Sequence, residues 1–382
     1  MRRTLALVST LVAVAFATGS APKVTAAPRD LDAALAQALR APGIDPRNSA
    51  AIAVELRTGA TVYSANARRS LLPASAEKLP VSFAALQVLG PRFRFRTEVV
   101  GVGTRSGRVW NGNLWLVGFG DPTLDRRDLD RLAKKFAATG IRHIAGRVLG
   151  DDTHFDTRRD GLGWKPGYLG IESRPIAALS VAGVRLTGVH GSAVAAARAF
   201  ASALRRRGIS VSGRSGSRPA PSDALPIVFD LSEPLSIIVR QLNGESDNFA
   251  SEMVLKELGA TIARRGSSAA GARVVRSELR AAGVPLAGVR IADGSGLSRF
   301  DRLTVSALAA ILRAGADDPA IRDAFVTSLA VAGISANPSS STSCSAVSRY
   351  RSGRERTIPS SHSFLIVLPP TFSMSIAAPT QW

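Results

Sequence analysis

The spacing of apolar residues near the start of the chain predicts a helix followed by a β-hairpin. Residues 31–39 carry apolar side chains at helical intervals, and residues 51–56 form a short strand-like run. A turn signal at Thr58 and Gly59 follows, after which residues 61–63 resume the strand pattern. We therefore expect two antiparallel strands preceded by a helix.

A further helical pattern begins shortly after the hairpin. Leu79, Phe83 and Leu86 recur at i, i+4 and i+7, which places them on one buried face of a helix. This helix is predicted to begin near Ser75. Ser75 and Lys78 then lie in its first turn.

From residue 93 to about residue 230 the pattern changes to short strands interleaved with helices. The change predicts domain material inserted into the chain. The predicted strands include 97–102 and 114–118, and the predicted helices lie near 128–138 and 194–206.

Helical patterning returns at residues 235–242 and again at residues 249–258. The interruption between them, residues 244–248, contains Ser246 and Asn248. A break between two helices is a place where a polar tripeptide can face a cleft.

The first residues have the pattern of a secretory signal. Arg2 and Arg3 precede an apolar run from residue 5 to residue 17, and small residues allow cleavage after Ala21 or Ala27. The run is shorter than the roughly 20 residues that a membrane-spanning helix needs. We interpret residues 1–27 as a signal peptide and expect an exported protein.

Composition limits the class of protein and its partners. The 382 residues are 45% hydrophobic, enough for two or three compact domains, and the single cysteine, Cys344, excludes an intrachain disulfide. The formal charge of +20 comes from 43 Arg and six Lys against 29 acidic residues. It favours anionic partners such as cell-wall polymers or lipid head groups, or reflects an arginine-rich genome. Export and an aromatic content of 5% argue against nucleic acid.

Two short motifs carry candidate catalytic chemistry. Ser75 and Lys78 are three residues apart on a helix, so the hydroxyl and the amine lie within reach of each other. A lysine can act as the base if its surroundings lower its pKa, whereas an arginine stays protonated. Ser246 and Asn248 add a hydroxyl and an amide at the helix break. S-x-x-K paired with S-D-N is the signature of penicillin-binding proteins and serine β-lactamases.

Longer segments around these motifs resemble the low-molecular-mass class C penicillin-binding D-alanyl-D-alanine carboxypeptidase/endopeptidase family. The similar segments occur in the family's order, and the resemblance covers roughly residues 31–334. It also accounts for the 167 residues between Lys78 and Ser246, since that family inserts extra domain material there. The matching segments are PASAEKL (73–79), GFGDPTL (118–124), GDDTHFD (150–156), RPIAALSV (174–181), LSIIVRQLNGESDNFASEMVLKELG (235–259) and DGSGLSR (293–299).

The resemblance implies an α+β fold with two parts. One is a serine β-lactamase/penicillin-binding-like domain, an antiparallel sheet flanked by helices, and the other is an α/β domain inserted between the first and second motifs. The corresponding division of the chain is a signal peptide at 1–27, a transpeptidase-like domain in two parts at 28–92 and 232–334, an inserted domain at 93–231, and an atypical tail at 335–382.

The resemblance also implies a serine-type D-Ala-D-Ala carboxypeptidase or endopeptidase that acts on peptidoglycan stem peptides. Ser75 would form the acyl-enzyme with Lys78 as the base, Ser246 would relay a proton, and Asn248 would hydrogen-bond the acyl side of the substrate. β-Lactams would acylate the same serine. No cofactor or metal is implied, and the protein would be periplasmic or extracellular and associated with the cell wall.

The tail departs from this family. The family has a K-T-G strand edge near its end, and no lysine follows Lys256 in this chain. Residues 335–382 hold 13 Ser in 48 residues and one acidic residue, a composition typical of an altered reading frame or a replaced terminus. Arg351, Ser352 and Gly353 offer similar chemistry, but their flanks lack a strand pattern. Without the strand, the enzyme would lose a cation and an oxyanion N–H, and loss of one such donor costs roughly a hundred- to a thousandfold in rate.

A proline also departs from the expected helix. Pro80 lies two residues after Lys78, where a helix interior normally supplies a backbone N–H, and we expect it to kink the helix.

Other interpretations of these residues fit the sequence less well. Asp151, Asp152, His154 and Asp156 have the side chains of a metal cluster, but they match a family segment, so we expect a structural role. The scattered histidines and the lack of a G-x-S-x-G elbow argue against a Ser-His-Asp hydrolase. The long insertion argues against a β-lactamase. Residues 293–297 are expected to shape the rim of the cleft.

One alternative is a binding protein and not an enzyme. A catalytically inactive, basic, exported protein that binds peptidoglycan would also lack the third motif and carry a positive surface.

Overall fold

The computed structural model describes residues 33, 36–37, 39–40, 45, 48–55, 58–184 and 191–329, together with the strands Leu11–Val14 and His362–Leu368. Most of the predicted signal peptide, most of the predicted helix at 31–39 and most of the tail, including residues 351–353, lie outside these residues. The predictions made for them stay predictions.

The smaller sheet has four strands in the order β1-β11-β2-β3. They are β1 (Leu11–Val14), β2 (Ser49–Glu55), β3 (Thr61–Ala65) and β11 (His362–Leu368). β2 and β3 pair antiparallel, which confirms the predicted hairpin. β11 lies parallel to both β1 and β2, so the sheet is mixed rather than antiparallel throughout.

The strand β11 lies in the atypical tail, downstream of residues 351–353, whose flanks lack a strand pattern. Residues 364–368 are five consecutive apolar residues, Phe-Leu-Ile-Val-Leu. A short run of this kind suits a strand covered on both sides. The strand begins nine residues after Gly353, so it does not include the predicted substitute for K-T-G.

The larger sheet has seven strands, and its longest pair is antiparallel. This pair is β4 (Arg96–Ser106) and β5 (Val109–Gly118); β6 (His143–Ile144), β7 (Val148–Asp151), β8 (Ser210–Val211) and β9 (Gly216–Ser217) extend the sheet by parallel pairing. The last strand, β10 (Leu225–Leu231), returns to pair antiparallel with β4.

Two helices cover the larger sheet and share one apolar core with it. They are Arg126–Ala137 (α2) and Gly191–Arg206 (α3). The chain thus enters this sheet at residue 96 and leaves it at residue 231 from the neighbouring strand. This pairing supports our proposal that residues 93–231 form an inserted domain.

The remaining helices form a second apolar core around a central buried helix. The central helix is α1 (Lys78–Val88), which is buried at every position from Lys78 to Leu86. The surrounding helices are α4 (Leu235–Gly244), α5 (Asn248–Ala263), α6 (Ser268–Ala281), α7 (Val305–Asp317) and α8 (Arg322–Ser328). A helix that is apolar all round belongs in a core, which is where α1 lies.

Pro80 does not disturb α1, contrary to the expectation from the sequence. A short 3-10 turn, Ala74–Glu77, precedes the α-helix, which begins at Lys78. Pro80 is therefore the third residue of the helix. The N–H groups of the first turn have no acceptor within a helix, so a proline costs little there.

In the part of the chain that the structure describes, no helix has the length and apolar character needed to cross a membrane.

Candidate active site

The site is assembled around the turn that joins the 3-10 segment to α1. Lys78 is 2% exposed, and its Nζ donates hydrogen bonds to Ser75 Oγ at 3.2 Å and to Asn248 Oδ1 at 2.8 Å. A third hydrogen bond runs from Lys78 Nζ to the carbonyl of Ser295 at 2.9 Å. The amine is thus held by acceptors from three separate segments, which fixes it beside the serine hydroxyl.

Ser246 approaches Ser75 from the break between α4 and α5. Its Oγ donates a hydrogen bond to Ser75 Oγ at 2.9 Å. The backbone of Ser246 has φ of 56°, in the left-handed region that a non-glycine residue adopts only at a cost of about 1–3 kcal/mol. Asp247 stabilises the break because its side chain caps α5 by accepting from the N–H of Ala250. The fold therefore brings all four predicted site residues, Ser75, Lys78, Ser246 and Asn248, into one hydrogen-bonded group.

The sequence predicts residues 293–297 at the rim of the cleft; residues 293–295 are instead buried beneath this group, whereas residues 296–297 are half-buried. Asp293 is 0% exposed and Ser295 is 1% exposed. Gly296 has φ of 81°, and a Cβ there would lie 1.8 Å from the carbonyl oxygen of Ala74. Only a glycine allows this loop to pack so closely against the turn that carries Ser75.

One face of α5 carries three polar residues at four-residue intervals, and we call Asn248, Glu252 and Lys256 the α5 polar stripe. This spacing keeps the three side chains on the same side of the helix. Asn248 binds Lys78, Glu252 Oε1 accepts from the N–H groups of Gly294 and Ser295, each at 2.9 Å, and Lys256 Nζ donates to Asp156 Oδ1 at 2.6 Å. The stripe thus ties three distant segments to one buried helix.

Buried carboxyl groups surround the loop beneath Lys78. Burial raises the pKa of Glu252 to about 8 and that of Asp301 to about 10, and the nearby charge of Asp293 adds to both shifts. Burial also raises the pKa of Glu77 well above its usual value of 4.5, with further contributions from Asp301 and Asp293. Glu252 and Asp301 are therefore mainly protonated at neutral pH, which limits the negative charge behind Ser75.

The acidic run 151–156 is divided among separate structural partners. Asp151 accepts from Thr153 and from the N–H of Ala220; Asp152 pairs with Arg159 at 2.6 Å; His154 contacts Glu257 at 2.8 Å; and Asp156 pairs with Lys256. Among the described residues, no group of three or more His, Cys, Asp or Glu side chains is placed to hold a metal ion.

Sequence reasoning missed several residues of the site. Glu77, Glu252 and Asp301 are buried near the hydrogen-bonded group of Ser75 and Lys78, and Trp164 Nε1 donates to Asp293 Oδ2 at 2.7 Å. A signal for Glu252 was present in its four-residue spacing from Asn248. The other contacts join residues far apart in the chain, so no local sequence pattern predicts them.

Comparison with known proteins gives a consistent result. The model of the D-Ala-D-Ala carboxypeptidase 3 (S13) family matches residues 31–184 and 179–349. A D-alanyl-D-alanine carboxypeptidase of Actinomadura sp. is 28% identical over 376 residues, covering 78% of this chain and 69% of that protein. A carboxypeptidase of Mycobacterium tuberculosis is 29% identical over 273 residues, covering 66% of this chain and 57% of that protein.

Among solved structures, the crystal structure of penicillin binding protein 4 from Haemophilus influenzae is similar in fold. Its TM-score is 0.67 at 22% identity, and the match covers 74% of this chain and 78% of the other. This likeness agrees with the α+β architecture described above.

Proposed function

Because the chain belongs to the D-Ala-D-Ala carboxypeptidase 3 (S13) family, we propose that it is a serine peptidase that hydrolyses the D-Ala-D-Ala end of peptidoglycan stem peptides through an acyl-enzyme on Ser75. The observation that carries the proposal is the position of Ser75 Oγ, 3.2 Å from Lys78 Nζ and 2.9 Å from Ser246 Oγ. A nucleophile within hydrogen-bond reach of its base is the arrangement that covalent catalysis requires.

The reaction proceeds in two steps. Ser75 Oγ attacks the carbonyl carbon of the penultimate D-Ala, and its proton passes to Lys78, which can act as the base only after giving up one of its three N–H protons. The bond to the terminal D-Ala breaks as that residue's nitrogen receives a proton. Ser246, which bonds Ser75, is placed to relay this proton. Water then attacks the acyl carbonyl, the ester bond between the acyl carbon and Ser75 Oγ breaks, and the proton that water loses returns by the same groups to Ser75 Oγ.

Asn248 has two contacts that suit a positioning role for Lys78 and the substrate. Its Oδ1 accepts from Lys78 Nζ, and its Nδ2 donates to the carbonyl oxygen of Glu172 at 3.0 Å. The Glu172 contact orients the amide so that its oxygen faces the lysine. In this proposal the acyl side of the substrate displaces the Glu172 carbonyl and takes the Nδ2 hydrogen bond.

Labelling with a fluorescent penicillin tests the proposed nucleophile. The full chain should form a covalent adduct, Ser75→Ala should form none, and Ser212→Ala, an exposed serine in the larger sheet's part of the chain, should label like the wild type. An adduct that persists in Ser75→Ala would remove Ser75 from the mechanism. Mass spectrometry of digested peptidoglycan separates carboxypeptidase action, which releases D-Ala, from endopeptidase action, which opens cross-links.

We retain a second candidate, a catalytically inactive protein that binds peptidoglycan. It is favoured by the absence of any lysine after Lys256 and by the charge of +20. A folded wild-type chain that stays unlabelled but sediments with purified cell wall would select this candidate. Both candidate functions include the same three proposals: export through the signal peptide at 1–27, a location at the cell wall, and binding to anionic wall polymers.

A further inference from the structure

A second cavity, separate from the Ser75 site, lies at the start of α6. Its volume is about 470 Å³, and none of Ser75, Lys78, Ser246 and Asn248 lines it. Cavities of a few hundred Å³ hold small organic ligands. The charged residues at its walls are Asp156, Arg158, Arg273, Arg276 and Arg290, and two serines, Ser267 and Ser268, also line it.

The walls of this cavity carry an excess of positive charge. Four arginines face one carboxylate, and Lys256 Nζ already neutralises that carboxylate, on Asp156, at 2.6 Å. Arg158 pairs with Asp160 at 3.0 Å. Within the described residues, Arg273, Arg276 and Arg290 form no ion pair.

The uncompensated arginines contact other parts of the protein through neutral groups. Arg276 Nη1 donates to the carbonyl of Val289 at 2.9 Å, and the guanidinium of Arg290 lies 5.1 Å from the centre of the Phe300 ring. Arg273 and Arg276 also stand three residues apart on α6, where like charges oppose helix formation by roughly 0.2–0.5 kcal/mol. An anion between them would turn this cost into a favourable interaction.

The N-terminus of α6 supplies a second, independent feature. Ser268 is 7% exposed and its Oγ has no hydrogen-bond partner among the described residues, although a buried hydroxyl left unsatisfied costs about 1–3 kcal/mol. Ser267 caps the helix by accepting from Ala270 N–H, and Gly271 N–H bonds the Ser267 carbonyl. The amides of Ser268 and Ala269 therefore remain as first-turn donors without intrahelical acceptors.

We propose that this cavity binds a phosphate-bearing organic ligand. A helix N-terminus with free amides and several guanidinium groups is the combination that binds phosphate, because the helix dipole and the forked arginine donors both suit a phosphate oxyanion. The volume exceeds what a phosphate group fills, and Leu162 and Ile291 give the rest of the wall an apolar part. The ligand is therefore a phosphate carried by a group of about the size of glycerol or a sugar.

Calorimetry on the full chain at low ionic strength tests this site. The probes are glycerol phosphate, a small monoester, and poly(glycerol phosphate), a phosphodiester polymer. Both carry phosphate on glycerol, so a small molecule and a polymer are compared as sources of the phosphate group. The wild type should bind at least one probe, and Arg273→Gln should bind it about 10- to 100-fold more weakly, because a charge-assisted hydrogen bond contributes roughly 1.5–3 kcal/mol. The preferred probe identifies the source of the phosphate.

A matched control lies on the same helix. Arg280 is exposed near the C-terminal end of α6 and does not line the cavity, so Arg280→Gln should bind like the wild type. Ser268→Ala should weaken binding without lowering the melting temperature, since it removes an unsatisfied hydroxyl. Binding of neither probe, or an equal loss in Arg273→Gln and Arg280→Gln, would overturn the proposal. Penicillin labelling of Ser75 is measured separately, so a negative result for the cavity can be distinguished from a negative result for the proposed function.

Discussion

The hydrogen bonds of Lys78 make a clear prediction about the base. Replacing Lys78 with Met should slow acylation by a fluorescent penicillin about 10²- to 10⁴-fold, the usual contribution of a general base. Lys78→Arg should be similarly slow, because an arginine keeps its proton. Lys134→Met, at an exposed position of α2, serves as the control for loss of a positive charge and should react at the wild-type rate. An active Lys78→Arg variant would contradict a role for this residue as the base.

The raised pKa of a single residue, Glu252, predicts how the free energy of unfolding depends on pH. Its pKa is raised from 4.5 to about 8 in the folded protein, so the folded state holds a proton that the unfolded state releases above pH 4.5. Stability from this group is thus complete below about pH 4.5 and falls as the pH rises to about 8. Asp301 acts in the same direction up to about pH 10.

The variant Glu252→Gln isolates this effect. Glutamine keeps the acceptor oxygen but cannot ionise, so the free energy of unfolding should fall less steeply with pH between about 4.5 and 8 than in the wild type. Urea unfolding at several pH values measures the slope. Glu233→Gln, at an exposed glutamate, should leave the slope unchanged, and a wild-type slope in Glu252→Gln would show that Glu252 is ionised throughout.

At the scale of elements, Gly296 controls where the turn at Ser75 sits. An alanine at 296 would place its Cβ 1.8 Å from the Ala74 carbonyl and would also strain a backbone with φ of 81°. We expect Gly296→Ala to lower the melting temperature and slow acylation together. The control is Gly283→Ala, where φ is 71° but no atom lies within 4 Å of the new Cβ. That variant should lose only the backbone cost of about 1–3 kcal/mol and retain the acylation rate.

A comparison of the predicted helices and strands with those of the structure shows which of them the sequence could predict. The hairpin, the helix after Ser75 and the break at Ser246 follow from local spacing, and the structure confirms each of them. The three helices after residue 267 were missed, although Ser267 and Thr304 cap two of them. The buried acids escaped prediction because the pKa values of Glu77 and Glu252 are raised by burial and by the charge of Asp293, which lies more than 40 residues away from each of them in the chain.

For the whole molecule, the charge of +20 predicts how binding to cell wall responds to salt. The Debye length falls from about 10 Å at 0.1 M to about 3 Å at 1 M, so sedimentation with purified wall should decrease strongly over this range if anionic polymers hold the protein. Ser75→Ala should sediment like the wild type, because it leaves the charge unchanged. Sedimentation that is independent of salt would instead indicate recognition by the active-site cleft.

The α5 polar stripe limits how the length of the chain can change. Each residue along a helix advances the side chain by about 100° and 1.5 Å. One residue inserted after Phe249 would leave Asn248 in place but would rotate Glu252 and Lys256 away from Ser295 and Asp156 together. Insertions and deletions should therefore be excluded between residues 248 and 256, while an exposed turn such as 221–223, between β9 and β10, is expected to tolerate lengthening.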